Sequence, residues 1–219
     1  MTTRKEIYDR LYGNRNIFQW QSVPDPQGWN SDAVAIRDTI LELKPDACLE
    51  IGVWKGMSMI YAAKHLKPSS FILGVDTFLG SQEHWRKPKA MERYENGCPK
   101  VFETMIANVL KENVQDKVIP WSVDSRSAIE LAYILKWRFQ WAHIDGGHSF
   151  HSTYQDLCGV QSLMDKGYIL VDDYWHENIV GATEKFCSEF ECNVEKIGPK
   201  GVIHWHGNGK QLQGLWGQG

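Results

Sequence analysis

The sequence predicts an α/β fold with a doubly wound, mostly parallel sheet. Short apolar runs of strand length alternate along the chain with segments whose apolar residues recur at helical spacing. One such helix separates the runs at 139–145 and 168–173, and a strand, helix and strand of this length form a right-handed parallel unit. Several of these strands end in acidic residues. Because parallel strands open their carboxyl ends on one edge of the sheet, we expect the acids to meet there.

The first predicted strand runs into a turn bracketed by Gly52 and Gly56, and a helix follows it. Backbone N–H groups at such a helix start point at a ligand. A dinucleotide site needs a glycine where Trp54 stands, and a phosphate-binding loop needs Lys and then Ser or Thr from Met57 onward. The turn therefore favours a cofactor with an adenosine end and no phosphates. Glu50, a carboxylate in an apolar strand end, suits a cationic partner.

The second and third predicted strands also end in polar residues. Asp76 ends the second strand about twenty residues beyond the glycine turn, where nucleotide-binding folds hold ribose hydroxyls. A carboxylate accepts two hydroxyl hydrogens at once, although Asp76-Thr77 is also a good turn start. Asp124 and Ser125 follow the third strand, and either residue is also a good N-cap for the helix that comes next.

Two later strands bring three carboxylates to the same edge of the sheet. Asp145 ends one strand, Asp172 and Asp173 end the next, and the helix between them has Leu157 and Cys158 on its apolar face. Like charges this close either raise one pKa or are neutralised by a cation. Aspartates offer only hard oxygen ligands, which suit Mg²⁺ or Mn²⁺ better than Zn²⁺. The alternative is that Asp172 or Asp173 is an ordinary loop carboxylate.

The motif Glu50-Ile-Gly-Val-Trp-Lys-Gly56 resembles the first motif, E-x-G-x-x-x-G, of the class I S-adenosylmethionine-dependent methyltransferases. Ile144-Asp-Gly-Gly-His-Ser-Phe150 and Val171-Asp-Asp-Tyr174 are similar to the small metal-dependent O-methyltransferases, a group that includes catechol, caffeoyl-CoA and macrocin-type sugar enzymes. These phrases are closest to the macrocin and cephalosporin-hydroxylase-like branch. The resemblance covers about residues 31–206. It implies a Rossmann-like, seven-stranded sheet that ends in an antiparallel C-terminal hairpin strand.

The resemblance also implies the ligands and the reaction. It implies O-methylation of a small hydroxylated molecule, with S-adenosylmethionine as the donor and a divalent cation, Mg²⁺ by preference, held by Asp145, Asp172 and Asp173. In this family the position of Asp124 faces the adenine. The expected cofactor contacts are Glu50, Gly52, Trp54, Gly56, Ser58, Asp76, Thr77, Asp124, Ser125 and Asp145. A metal-free methyltransferase, a hydroxylase-labelled relative and a non-catalytic nucleoside-binding module remain as alternatives on the same fold.

His148 is the predicted general base, and Asp145 is the catalytic residue beside it. His148 follows Asp145 by one short turn, and imidazole accepts protons near neutral pH. His151 and His176, on neighbouring loops, are rivals for this role. A histidine at a helix start is also often only a polar cap.

The remaining segments are expected to surround this core. Residues 1–30 are an N-terminal arm or lid, or a plain packing arm, and Asn30 or Ser31 caps a helix that ends at Pro45. The segment 78–100 is predicted to be a long irregular lid insertion of the 31–206 domain, and 207–219 a flexible tail. Lid residues that can shape a pocket for a polar, partly anionic substrate are Trp85, Arg86, Lys87 and Tyr94.

Composition limits the partners and the compartment. The 219 residues carry a net charge of −3, and no basic stripe for nucleic acid is visible. The longest apolar stretches have strand length, and the first residues lack the apolar core of a signal peptide, so neither a membrane nor export is expected. Cysteines 48, 98, 158, 187 and 192 are odd in number and lack C-x-x-C spacing, which indicates free thiols and a cytoplasmic protein. Assembly into a homo-oligomer stays open.

Overall fold

The computed structural model describes residues 2–19, 22–26, 33–86 and 99–207. Within these residues seven strands form one sheet. The strands are β1 (Ala47–Ile51), β2 (Phe71–Asp76), β3 (Val118–Ser122), β4 (Phe139–Ile144), β5 (Met164–Val171), β6 (Val194–Ile197) and β7 (Lys200–Trp205). The helices are α1 (Arg4–Tyr12), α2 (Val34–Leu43), α3 (Met57–His65), α4 (Gln82–Arg86), α5 (Val101–Lys111), α6 (Ser125–Ile134), α7 (Phe150–Ser162) and α8 (Glu177–Phe190).

The strand order is β3-β2-β1-β4-β5-β7-β6. The pairs from β3 through β5 are parallel, β7 is antiparallel to β5, and β6 is antiparallel to β7. The predicted Rossmann-like, mostly parallel seven-stranded sheet with an antiparallel C-terminal hairpin is therefore confirmed. The strand order reverses beside β1, and ligands of open α/β sheets bind at the carboxyl edge at this point.

Apolar layers cover both faces of the sheet. Every residue of β1 is buried, as expected for a parallel strand between two helical layers. Leu49 packs in one core cluster with Ile129 of α6, while Cys48 packs in the other with Met59 of α3. Burying one large apolar side chain contributes about 1.5–3 kcal/mol, so this two-layered core fixes the strand ends on which the site is built.

Helix boundaries follow the sequence prediction in part. α2 begins at Val34 with Ala33 at the N-cap position, while Asn30 and Ser31 lie outside the described residues. It ends at Leu43, ahead of Pro45 as predicted, and Lys44 takes a left-handed conformation. The prediction that 78–100 is irregular is wrong for Gln82–Arg86, which form α4.

Several predicted features fall outside the described residues. Lys87, Tyr94 and Cys98 of the expected lid insertion are among them, as is the expected tail after Gly207. The four described cysteines are free thiols, and Cys48, Cys158 and Cys187 are buried. None of the helices in the described ranges has the length and apolar character needed to cross a membrane.

The N-terminal segment meets the sheet at two separate places. Ile7 of α1 is buried in the core cluster that contains Leu49, and the Tyr12 hydroxyl donates to the Pro120 carbonyl of β3. Asp25, by contrast, reaches the glycine turn after β1, where its carboxylate pairs with Lys55. α1 therefore packs against the core and β3, whereas Asp25 contacts the glycine turn.

Candidate functional site

The two motif glycines are required by backbone conformation and by space. Gly52 has φ +84°, and a Cβ there would lie 1.9 Å from the Asp145 carbonyl oxygen. Gly56 has φ +87°, and a Cβ there would lie 2.9 Å from the Met105 side chain. Only glycine adopts such angles at low cost. Because Gly52 has no side chain, the end of β1 packs closely against the end of β4. The glycine turn and Asp145 therefore lie at the same edge of the sheet.

Asp76 shapes the glycine turn through backbone hydrogen bonds. Its Oδ2 accepts from the N–H groups of Val53 at 2.9 Å and Trp54 at 2.8 Å, and its Oδ1 accepts from Phe78 N–H at 2.7 Å. A carboxylate has about four acceptor positions, so these three donors leave room for one more. Thr77 is exposed, and its hydroxyl oxygen accepts from the Leu79 N–H group.

Trp54 lies at the mouth of the turn in a strained conformation. Its φ is +51°, which is rare for a bulky residue and concentrates at functional sites. Its indole stacks on the His84 ring of α4 with the centroids 3.8 Å apart. The first residues of the expected lid insertion therefore contact the predicted cofactor turn.

Lys55 ties the N-terminal segment to the same turn. Its ammonium is buried and pairs with the Asp25 carboxylate. The Asn108 side-chain amide donates to the carbonyl oxygens of both residues, at 3.0 Å to Asp25 and 2.9 Å to Lys55. Neither Lys55 nor Asn108 was predicted, because a lysine in a loop and an asparagine in a helix carry no signal of burial.

Glu50 is fully buried at the end of β1. Its Oε1 accepts from the Ser58 hydroxyl at the start of α3 and lies 3.0 Å from His143 Nδ1 on β4. Its Oε2 is also buried and has no hydrogen-bond partner among the described residues. A buried carboxylate oxygen without a donor is costly, which indicates that a ligand group or water satisfies it.

His143 and Lys200 connect Glu50 to the acidic cluster. Lys200 Nζ lies 2.9 Å from His143 Nε2 and 2.8 Å from Asp172 Oδ1, and the lysine side chain is 1% exposed. An ammonium can only donate, so His143 Nε2 accepts and its ring proton is on Nδ1, from which it donates to Glu50. Neither residue was predicted. The sole signal for His143 is a polar residue inside an apolar strand.

Asp145 and Asp172 stand side by side and titrate differently. Burial and then the neighbouring charge of Asp172 raise the pKa of Asp145 well above its ordinary value. Burial also acts to raise the pKa of Asp172, but interactions with His143 and Lys200 outweigh it and lower that pKa to about 2. Ionising both carboxyls would therefore place more negative charge in the cluster than the Lys200 ammonium balances.

The described residues contain two overlapping sets of possible metal ligands. Donor atoms of Asp145, His148 and Asp173 lie within 4.8 Å of one another, and so do those of His143, Asp145 and Asp172. The three predicted aspartates are therefore divided between two sets that share Asp145. Carboxylate oxygens are hard ligands that suit a divalent cation such as Mg²⁺. The residues present fit such an ion.

His148 lies beside Asp173, just before the Ser149 N-cap of α7. Its Nε2 is 3.5 Å from Asp173 Oδ2, and Asp173 takes a left-handed conformation with φ +49°. Of the two rivals, His176 has its ring centroid 6.1 Å from that of His148, and His151 is exposed on the first turn of α7.

Asp124 and Ser125 serve local structure here. Asp124 is the N-cap of α6 and accepts from the Ser127 N–H group at 2.9 Å, a bond that lowers the pKa of Asp124. The Ser125 side chain hydrogen-bonds to Asp156, whose pKa burial raises to about 6. The structure thus shows Asp124 as a helix cap, which was the alternative interpretation. A contact between Asp124 and adenine stays a prediction.

Comparisons with known proteins show the family and the fold. A family model described as a methyltransferase domain matches residues 49–174. The O-methyltransferase from Bacillus cereus, solved with SAH, superposes with a TM-score of 0.58 at 11% identity over 91% of this chain and 96% of its own. The O-methyltransferase TomG from Streptomyces achromogenes, of tomaymycin synthesis and solved with SAM, gives 0.59 at 12% identity over 85% and 82%.

A third similar structure is CalS11, a TDP-rhamnose 3'-O-methyltransferase of calicheamicin biosynthesis. Its TM-score is 0.55 at 16% identity, over 78% of this chain and 76% of that one. At these identities the likeness shows a shared fold. No curated protein matches the sequence significantly.

Proposed function

The chain belongs to the methyltransferase-domain family, and from that premise we propose that it transfers the methyl group of S-adenosylmethionine to a hydroxyl oxygen of a small molecule. The observation that carries the proposal is the contact between Gly52 of the cofactor-type turn and the backbone of Asp145. This contact supports the proposal of a methyl-donor site beside the acidic cluster. The three similar structures are O-methyltransferases, two of them solved with SAH or SAM, which supports the same donor and acceptor here.

The cofactor is proposed to lie along the carboxyl ends of β1 and β2. Glu50 Oε2, which has no donor among the described residues, accepts from the cationic methionine end. The remaining acceptor position of Asp76 takes a ribose hydroxyl. Trp54 excludes a pyrophosphate from the turn. Holding methyl, sulfur and nucleophile in line is mostly a gain from positioning.

Asp145, Asp172 and Asp173 are proposed to hold a divalent cation, with Mg²⁺ preferred. A bound divalent cation supplies Lewis acidity, which lowers the pKa of a neighbouring hydroxyl. Because one oxygen of Asp172 is already on Lys200, the more open side of the cluster is the side of Asp145 and Asp173.

His148 is proposed to take the hydroxyl proton of the substrate on its imidazole ring. Asp173 Oδ2, 3.5 Å from Nε2, keeps the ring beside the cluster. A base oriented by a carboxylate is a common arrangement for activating an oxygen nucleophile.

One observation favours the metal-free alternative. The Lys200 ammonium already balances the Asp172 carboxylate from inside the protein. If this built-in charge is sufficient, Asp145 remains protonated through its raised pKa and no metal is required.

Turnover with labelled S-adenosylmethionine tests the proposal. The purified protein is incubated with hydroxylated phenols, sugars and nucleotide sugars, with and without EDTA, and methylated products are identified by mass spectrometry. We expect an O-methylated product, loss of turnover in EDTA, and loss of turnover in Asp173→Asn. Asp165→Asn is the matched control, because Asp165 is an exposed acid of β5. Product formation that EDTA leaves unchanged favours the metal-free form, and N- or C-methylated products contradict the proposal.

A further inference from the structure

Lys200 is buried, although its position in a hairpin, after Gly-Pro, would ordinarily predict an exposed lysine. It follows Gly198 and Pro199 in the β6–β7 hairpin, yet its side chain is 1% exposed. Removing an ammonium from water costs several kcal/mol unless partners compensate. Asp172 Oδ1 and His143 Nε2 are these partners, and they occupy two of the three N–H donors.

Contacts with Tyr174 hold the β6–β7 hairpin in the position from which Lys200 reaches Asp172 and His143. The Pro199 carbonyl accepts from Tyr174 N–H at 2.7 Å, and a Cβ at Gly201 would lie 2.7 Å from the Tyr174 ring. The turn is thus held against the loop after β5. This packing places the lysine beside Asp172 and leaves its ammonium little freedom.

From Lys200 a continuous line of hydrogen bonds reaches Glu50. The ammonium donates to His143 Nε2, which fixes the ring proton on Nδ1. Nδ1–H then donates to Glu50 Oε1 at 3.0 Å, on the same oxygen that accepts from Ser58. Both donors lie on one oxygen, so Oε2 is left for a ligand.

We propose that Lys200 is a positioning residue for cofactor binding, which acts through His143 to hold the Glu50 carboxylate with Oε2 available to the cofactor. The inference rests on the proposed function, in which Glu50 contacts S-adenosylmethionine. Without the ammonium, the His143 proton can occupy either ring nitrogen. In the tautomer with the proton on Nε2, Nδ1 faces Glu50 as an acceptor and repels it.

A double-mutant cycle with S-adenosylhomocysteine tests this inference. Affinities are measured by calorimetry for wild type, Lys200→Met, Glu50→Gln and the double variant. We expect Lys200→Met to weaken binding about 3- to 30-fold, as networked residues do, and to add nothing once Glu50 is replaced. Val202→Ala is the control, because Val202 is a buried residue of the same strand outside the network.

A further variant separates positioning from charge balance. Lys200→Met leaves Asp172 without its cation and can reduce folding, whereas Lys200→Met/Asp172→Asn removes that cost. If S-adenosylhomocysteine affinity stays low in the latter, Lys200 acts through His143. Affinity restored to the wild-type value means that Lys200 only balances charge, which overturns the inference.

Nitrogen NMR of the imidazole rings gives a readout that needs no cofactor. We expect His143 to be the Nδ1–H tautomer in the wild type and a mixture of tautomers in Lys200→Met. An unchanged tautomer, or equal losses of affinity in the wild-type and Glu50→Gln backgrounds, overturns the inference while the proposed function stands. If the wild type binds no S-adenosylhomocysteine, the proposed function fails and this inference fails with it.

Discussion

Two neighbouring carboxyls at the sheet edge, Asp172 and Asp145, differ in how the protein balances their charge. Lys200 lies on Asp172, which lowers the pKa of that carboxyl to about 2 against the effect of burial. Burial and then the charge of Asp172 raise the pKa of Asp145, and the positive charge of Lys200 offsets them only in part. The side of the cluster formed by Asp145 and Asp173 is therefore where an added positive charge or a proton stabilises the site most.

Replacing His148 tests the proposed base. His148→Ala should lower kcat by about 10²- to 10⁴-fold, because positioned general bases contribute this much, while S-adenosylhomocysteine affinity is kept. His151→Ala is the control, since His151 is exposed on α7. Steady-state kinetics with the substrate found in the turnover screen measures the effect. A His148→Ala variant within tenfold of wild type would leave His148 as a neighbour of the cluster and retire it as the base.

The turn between β1 and α3 is the element on which the site depends most directly. Gly52→Ala should lower the free energy of unfolding by about 4 kcal/mol or more, because the added Cβ would lie 1.9 Å from the Asp145 carbonyl oxygen. Gly198→Ala is the matched control: its φ is also positive, at +62°, but no atom of the described residues lies within 4 Å of the added Cβ. We expect that control to cost only about 1–2 kcal/mol. Urea unfolding measures both, and equal losses would show that backbone conformation alone requires Gly52.

α7 carries a buried acid under the loop after β4. The pKa of Asp156 is raised by burial from 3.8 to about 6, and Asp156 Oδ2 would lie 3.1 Å from a Cβ at Gly146. The folded state binds this proton more tightly than the unfolded state does. This carboxyl therefore costs no stability below pH 3.8, and its full penalty, about 3 kcal/mol, is reached above pH 6.

Asp156→Asn removes this titration. The difference in unfolding free energy, variant minus wild type, should rise by about 1 kcal/mol between about pH 5 and about pH 7.5. Urea unfolding at the two values measures it. Ser162→Ala, near the other end of α7, is the control and should show no such trend. A difference that stays constant or falls with pH would mean that the Asp156 carboxyl is not desolvated in the folded protein.

At the scale of the whole molecule, the sheet and its acidic edge follow from sequence pattern. Strand-length apolar runs and helical spacing suffice to predict the parallel strands, and the resemblance of the motif Glu50–Gly56 predicts the family; both predictions are confirmed. The glycine turn is equally visible, because Gly52 and Gly56 take backbone angles that other residues adopt at a cost.

The buried network was not predictable, because it depends on strand register. His143 faces Glu50 since the two are direct partners in the β1–β4 pairing, and Lys200 reaches Asp172 because Gly201 pairs with Val171 across β5 and β7. No local pattern encodes these pairings. A lysine after Gly-Pro in a hairpin is ordinarily expected to be exposed, and only tertiary packing against Tyr174 buries it. α4 was missed for a related reason, since five residues carry too little periodicity.

Calorimetry with S-adenosylhomocysteine, NAD and ATP tests the central claim most directly. We expect S-adenosylhomocysteine to bind and NAD and ATP to be inert, because Trp54 stands where a pyrophosphate would need glycine. Glu50→Gln should weaken S-adenosylhomocysteine binding about 10- to 150-fold through loss of a charged hydrogen bond. Glu112→Gln should leave it unchanged, since Glu112 pairs with Lys64 at the surface. Tight binding of NAD or ATP, or equal affinity in Glu50→Gln and wild type, would contradict a methyl-donor site built on Glu50.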